Sequence, residues 1–138
     1  MRDYPNGDQP HRLVLLIEDD DAIAEMYALD MSTVGLRARF ARDGGEGLDM
    51  AAKLEPDVIC LDIGLPDMDG LDVLRALLAD PATKEIPVIV VSNYGEQSLV
   101  DTAKEIGAVD YLIKAEVTPR FLTDRVASFI EKEAAQAV

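Results

Sequence analysis

One cysteine is all the thiol in this 138-residue chain, so no disulfide can hold it together and a reducing compartment suits it best. Tryptophan is absent, and the only histidine is His11. With no second His or Cys beside it, His11 reads as a tail residue and not as a metal ligand. Basic residues are scarce: 13 Lys and Arg stand against 27 Asp and Glu, for a formal charge of −14. A surface of that sign repels a phosphate backbone, which argues against direct nucleic-acid binding and favours a cationic partner or a metal ion. Solvated helix surface accounts for much of the acidity in any case. No apolar run approaches the length of a membrane span, and no basic-then-apolar leader opens the chain. A soluble, cytoplasmic protein is therefore expected, with no membrane partner. Neither a G-x-G-x-x-G nor a Gly-Lys-Ser/Thr phosphate loop occurs, so nucleotide binding has no support.

What is present is a strict alternation. Leu13-Val14-Leu15-Leu16-Ile17, Val58-Ile59-Cys60-Leu61 and Val88-Ile89-Val90-Val91 are unbroken apolar runs of strand length, as expected of strands covered on both faces. Arg37 to Ala41 alternates like an edge strand, and Ala108 to Ile113 supplies a fifth. Between the strands lie helical patterns. Ile23, Tyr27, Met31 and Val34 mark the first, with Asp20 or Asp21 as its N-cap and Gly35 as its stop. Asp43 and Glu46 form a capping pair for the second, which Gly45 and Gly47 weaken. Leu71, Leu74 and Leu78 mark the third, and residues 97–106 the fourth, closed by Gly107. Thr118-Pro119 opens a fifth, with Phe121, Leu122, Val126, Phe129 and Ile130 as its inward stripe. Met1 to Arg12, with Pro5, Gly7 and Pro10, reads as a flexible lead-in. One domain over 13–133 is expected, with fraying over 134–138.

Strands that alternate with helices predict an α/β fold with a parallel sheet, each crossover right-handed. Ligands on such sheets gather beyond the carboxyl ends of the strands, above all where the strand order reverses. For the order 2-1-3-4-5, a flavodoxin-like doubly wound (βα)5 sheet, that point lies between strands one and three. Strand one ends at Glu18 and Asp19, strand three at Asp62, strand four at Ser92 and strand five at Lys114. Each residue has an ordinary reading alone: Asp62 and Ser92 as turn formers, Lys114 as a solvated surface residue. Together they predict one rim of acids, a hydroxyl and an ammonium. Carboxylates about 4 Å apart repel by roughly 4 kcal/mol at an effective dielectric of 20. Oxygen ligands without His or Cys select a hard cation, Mg²⁺ before Ca²⁺. With that cation, Asp62 can attack phosphorus while Lys114 and Ser92 counter charge on the transferring group.

At these residues the chain resembles the receiver domains of two-component signalling, similar to the chemotaxis response regulators, over about 13–133. The matching motifs are Leu-Leu-Ile-Glu-Asp-Asp, Asp62 with Pro66 and Asp69-Gly70, the strand ending in Ser92, and Gly107-Ala108 leading to Asp110-Tyr111-Leu112-Ile113-Lys114. The resemblance implies that Asp62 is the phosphoacceptor and that Asp19, Asp62 and the Gly64 carbonyl bind Mg²⁺, with Glu18 acting through bound water. It implies that Ser92 and Lys114 contact the phosphoryl group and that Tyr111 turns inward as Ser92 is drawn to it. A sensor histidine kinase or phosphotransfer protein is the implied donor. A downstream protein is the implied reader of the helix 4, strand 5, helix 5 face.

The chain departs from the family pattern at three places. Ala115 follows the lysine where Pro is usual, often after a cis bond, and a cis bond before a non-proline costs about 3 kcal/mol. Asn93 replaces the usual small residue after Ser92 and is expected to narrow the access of water. Glu18 replaces a commoner Asp. Two other functions are weighed: a Mg²⁺-dependent phosphohydrolase, which the glycine at 64 disfavours because no second acid stands there, and a receiver-like scaffold that is never phosphorylated. No effector segment is recognised, so output is expected to pass through another protein.

Overall fold

The computed structural model describes residues 12–136, with side chains as far as Lys132. Of the expected lead-in, residues 1–11 lie outside the described residues, as do 137–138 at the other end. The chain runs β1 (Leu13–Ile17), α1 (Asp21–Ser32), β2 (Arg37–Ala41), α2 (Gly44–Leu54), β3 (Val58–Leu61), α3 (Gly70–Ala79), β4 (Val88–Ser92), α4 (Gln97–Ile106), β5 (Asp110–Ile113), a short 3-10 turn (Lys114–Glu116) and α5 (Pro119–Gln136). All strand pairs are parallel, in the order β2-β1-β3-β4-β5. This is the order expected of a flavodoxin-like doubly wound sheet.

Helices on both faces explain why the central strands are apolar throughout, save for Ser92 at the carboxyl end of β4. One face of the sheet gives Leu15, Ile17, Ile59, Leu61 and Val90 to a core shared with Val73, Leu74 and Leu77 of α3 and Ala103 of α4. The other gives Val14, Leu16, Cys60 and Val91 to a core shared with Tyr27 and Met31 of α1 and Leu122, Val126 and Ile130 of α5. Successive strand residues point to opposite faces, and both faces are dry. Asp20 is the N-cap of α1, accepting from the Ile23 N–H at 3.2 Å, and Asp43 caps α2, accepting from the Glu46 N–H at 2.8 Å. Thr118 caps α5 through the Phe121 N–H at 3.1 Å.

Two apolar positions fall elsewhere than expected. Val34 lies past the end of α1, which stops at Ser32, and is 41 % exposed; Leu36 takes the buried place after the Gly35 turn. Phe121 is 46 % exposed, because α5 turns Leu122, Val126 and Ile130 inward at i, i+4 and i+8, and residue 121 sits one step of about 100° around the helix from that line. In α3 the buried residues are Gly70, Val73, Leu74 and Leu77, while Leu71 and Leu78 are half-buried.

Candidate functional site

The register of the sheet brings four strand ends to one rim. Ile17 of β1 pairs with Leu61 of β3, Leu61 with Val90 of β4, and Ser92 with Ile113 of β5. The residues after these ends are still tied to the sheet: the Glu18 N–H donates to the Ala41 carbonyl at 2.9 Å and the Asp62 N–H to the Ile17 carbonyl at 3.0 Å. The site therefore rests on rigid backbone.

Lys114 lies at its centre. Its Nζ is 2.5 Å from Glu18 Oε1 and 3.0 Å from Asp62 Oδ2, and all three side chains are at least nine-tenths buried. Glu18 Oε2 accepts from the Asp20 N–H at 3.1 Å, and Asp62 Oδ1 from the Gly64 N–H at 3.0 Å. Asp19 is exposed at the rim. Burial pushes the Glu18 carboxyl up, more than the bond to Lys114 brings it down. Burial pulls the Lys114 ammonium down, yet its bonds to Glu18 and Asp62 outweigh this and raise it. Glu18 holds its proton more tightly than in water because it is buried, and Lys114 because it faces two carboxylates. The pocket is short of positive charge.

Carboxylate oxygens of Glu18, Asp19 and Asp62 lie within 4.8 Å of one another. Three such oxygens with no imidazole or thiolate fit a hard divalent cation. Ser92 is fully buried, its Oγ accepting from the Tyr94 N–H at 3.1 Å. Tyr111 is turned inward, 8 % exposed, and its hydroxyl donates to the Tyr94 carbonyl at 2.5 Å. No cis peptide occurs among the described residues, so the Lys114–Ala115 bond is trans, and the chain passes through it into the 3-10 turn. Cys60 behaves as a small apolar residue, its thiol pushed up to about 12 by burial.

Three residues near the site carry no sequence signal of that placement. Tyr94, not Asn93, leans over Gly64: a Cβ there would meet the Tyr94 ring at 3.1 Å. Tyr27, in sequence only one member of a helical stripe, lines a small cavity with Glu18, Cys60 and Asp62. Asp67, within the Gly/Pro/Asp turn, accepts from the Gly44 and Gly45 N–H groups, more than twenty residues earlier in the chain. Only the tertiary fold makes these contacts.

Known proteins share this fold. The family model for the response regulator receiver domain matches residues 14–127. The DNA-binding dual master transcriptional regulator RpaA of Synechocystis is 36 % identical over 101 residues, covering 73 % of this chain and 42 % of that protein. The transcriptional regulatory protein AfsQ1 of Streptomyces coelicolor is 34 % identical over 119 residues, covering 86 % and 51 %. The chain thus spans about half the length of these relatives or less. Among solved structures, a CheY-like receiver domain protein from Methanospirillum hungatei superposes with a TM-score of 0.82 at 25 % identity, covering 92 % of this chain and 99 % of that one. The receiver domain of the Francisella response regulator 1452 does so with 0.82 at 27 %, covering 89 % and 99 %. With this fold, and with acids and an ammonium meeting at the ends of its parallel strands, the chain belongs to the response regulator receiver domain family.

Proposed function

We propose that the unit over 13–133 is a cytoplasmic phosphorylation switch in which Asp62 accepts a phosphoryl group from the phosphohistidine of a sensor histidine kinase or phosphotransfer protein. An Asp62 carboxylate oxygen attacks phosphorus, the new P–O bond forms as the P–N bond breaks, and the P–N electron pair stays with the departing imidazole. Lys114 faces that oxygen and counters charge on the transferring group, and Ser92 donates its hydroxyl to it. Asp19, Asp62 and the Gly64 carbonyl would hold Mg²⁺, with Glu18 reaching it through water; when bound, the ion would supply neutralising charge for the phosphoryl oxygens. The observation that carries this reading is the 3.0 Å contact between Lys114 Nζ and Asp62 Oδ2, across 52 residues of chain.

The product is an acyl phosphate, and the position two residues past Asp62, where a second acid would stand to activate water, is glycine. That favours a persistent signal over turnover. Output passes through Tyr111 and the face of α4, β5 and α5, where a downstream protein binds. Driving a two-state face from 1:99 to 99:1 takes about 5.5 kcal/mol of preference, within reach of several charge-assisted bonds to a phosphoryl group. With a charge of −14 the chain itself makes no direct contact with nucleic acid.

The test is intact mass after incubation with acetyl phosphate. Wild type gains one phosphoryl group with Mg²⁺ and none with a chelator, and Asp62→Asn gains none. Equal labelling of Asp62→Asn, or an unlabelled wild type that binds Mg²⁺, overturns the assignment and favours an unphosphorylated scaffold.

A further inference from the structure

The segment between Asp62 and α3 carries the Gly64 carbonyl, and it is fastened at two places. At its base the Gly70 N–H donates to the Ile63 carbonyl at 3.0 Å, with the two backbones so close that a Cβ on Gly70 would lie 2.3 Å from Ile63 Cα. At its far end the loop is fastened to a different helix. Asp67 Oδ1 accepts from the Gly44 N–H at 2.7 Å and Oδ2 from the Gly45 N–H at 2.9 Å. Met68 packs so closely on Gly44 that a Cβ there would sit 2.8 Å from its sulfur.

α2 already has a local cap. Asp43 takes the Glu46 N–H, and Glu46 Oε1 accepts from the Arg42 N–H at 3.0 Å, so the helix start is served from its own sequence. Asp67 adds the two remaining N–H groups of the first turn from the β3–α3 loop. The helix amides hold its carboxyl below the usual carboxylate range, so the grip is ionic at neutral pH.

We propose that Asp67 is a positioning residue for magnesium: by clamping the loop to the start of α2 it holds the Gly64 carbonyl where the cation needs it. The inference rests on reading Asp19, Asp62 and Gly64 as the metal ligands. With the clamp released, the loop samples other conformations, and the apparent affinity falls by the fraction of loops still in place. Coupling is reciprocal, so bound cation must in turn tighten the clamp.

The experiment titrates Mg²⁺ into full-length wild type and Asp67→Asn, following amide resonances, and measures amide exchange at Gly44 and Gly45 with and without saturating Mg²⁺. Asp67→Asn should bind Mg²⁺ roughly fivefold more weakly, a population effect. In wild type, Mg²⁺ should slow exchange at both glycine amides. A remote cap with no link to the metal predicts a lowered melting temperature, unchanged Mg²⁺ affinity and no Mg²⁺ effect on exchange; that result overturns the proposal. The exchange measurement needs no variant and decides the matter even where Asp67→Asn folds poorly. A wild type that fails to bind Mg²⁺ removes the metal reading itself, whereas equal binding by both proteins removes only the role of Asp67.

Discussion

Three carboxylates, those of Glu18, Asp19 and Asp62, converge on a pocket that contains one ammonium, and Lys114 is bonded to the two buried ones. Buried charges of one sign survive only with a partner, and removing one member of a buried pair leaves the other uncompensated. The neighbouring Cys60 offers no positive charge, and with its thiol pushed up to about 12 by burial it adds no negative charge either. Lys114→Met keeps much of the apolar stem and removes the charge. The expected result in chelator at pH 7 is a loss of about 3 kcal/mol or more in unfolding free energy, read from urea curves. A loss within the error of the extrapolation would mean that water, and not the ammonium, balances these acids. Lys114 alone decides nothing in the sequence, where an end-of-strand lysine looks like any surface lysine; only its coincidence with the other strand ends gives it weight.

Glycines show how closely the elements approach. Gly45 has room, since a Cβ there would make ordinary contact with Asp67 Oδ2 at 3.5 Å, and it sits in the first turn of a helix. Gly70 has none, since its Cβ would press on the backbone of Ile63, which no rotamer change can relieve. Gly45→Ala should therefore stabilise the protein by about 0.5 kcal/mol, while Gly70→Ala should destabilise it by about 3 kcal/mol, both read from urea midpoints. Similar midpoints for the two variants would show that the loop base is not tightly packed. The same contrast shows what the chain makes legible. Apolar runs, caps such as Asp20, Asp43 and Thr118, and the Gly35 and Gly107 stops are local chemistry, and they define the elements, whose alternation implies a parallel sheet; the strand order comes from the flavodoxin-like pattern. The rim of Glu18, Asp19, Asp62, Ser92 and Lys114 follows from that order. Val34 and Phe121 depart from the expected stripes because apolar spacing does not say where a helix ends or how it is rotated. Tyr94 over Gly64 and Asp67 on α2 are invisible in the sequence because they join segments whose approach is set only by packing.

At the scale of the whole molecule, a charge of −14 makes the folded chain repel itself. The exposed pairs Arg42–Asp21, Lys53–Asp49 and Arg75–Asp72 offset little of this, being open to solvent on both sides. Monovalent salt should then stabilise the protein without any binding site, because the Debye length shortens to about 8 Å at physiological ionic strength. A magnesium site adds a second contribution, logarithmic in free ion, of about 2.7 kcal/mol once the free ion reaches 100 times its dissociation constant. The two separate cleanly when thermal unfolding is followed in NaCl and in MgCl₂ at equal ionic strength. In wild type, MgCl₂ should give the higher melting temperature, with the stabilisation behind the difference growing by about 1.4 kcal/mol for each tenfold rise in free ion above the dissociation constant. In Asp62→Asn the response to NaCl should persist while the extra effect of MgCl₂ largely disappears, because one ligand and its charge are gone. An undiminished extra effect in Asp62→Asn would mean that magnesium acts on the acidic surface at large, and the strand-end pocket would lose its claim to the cation.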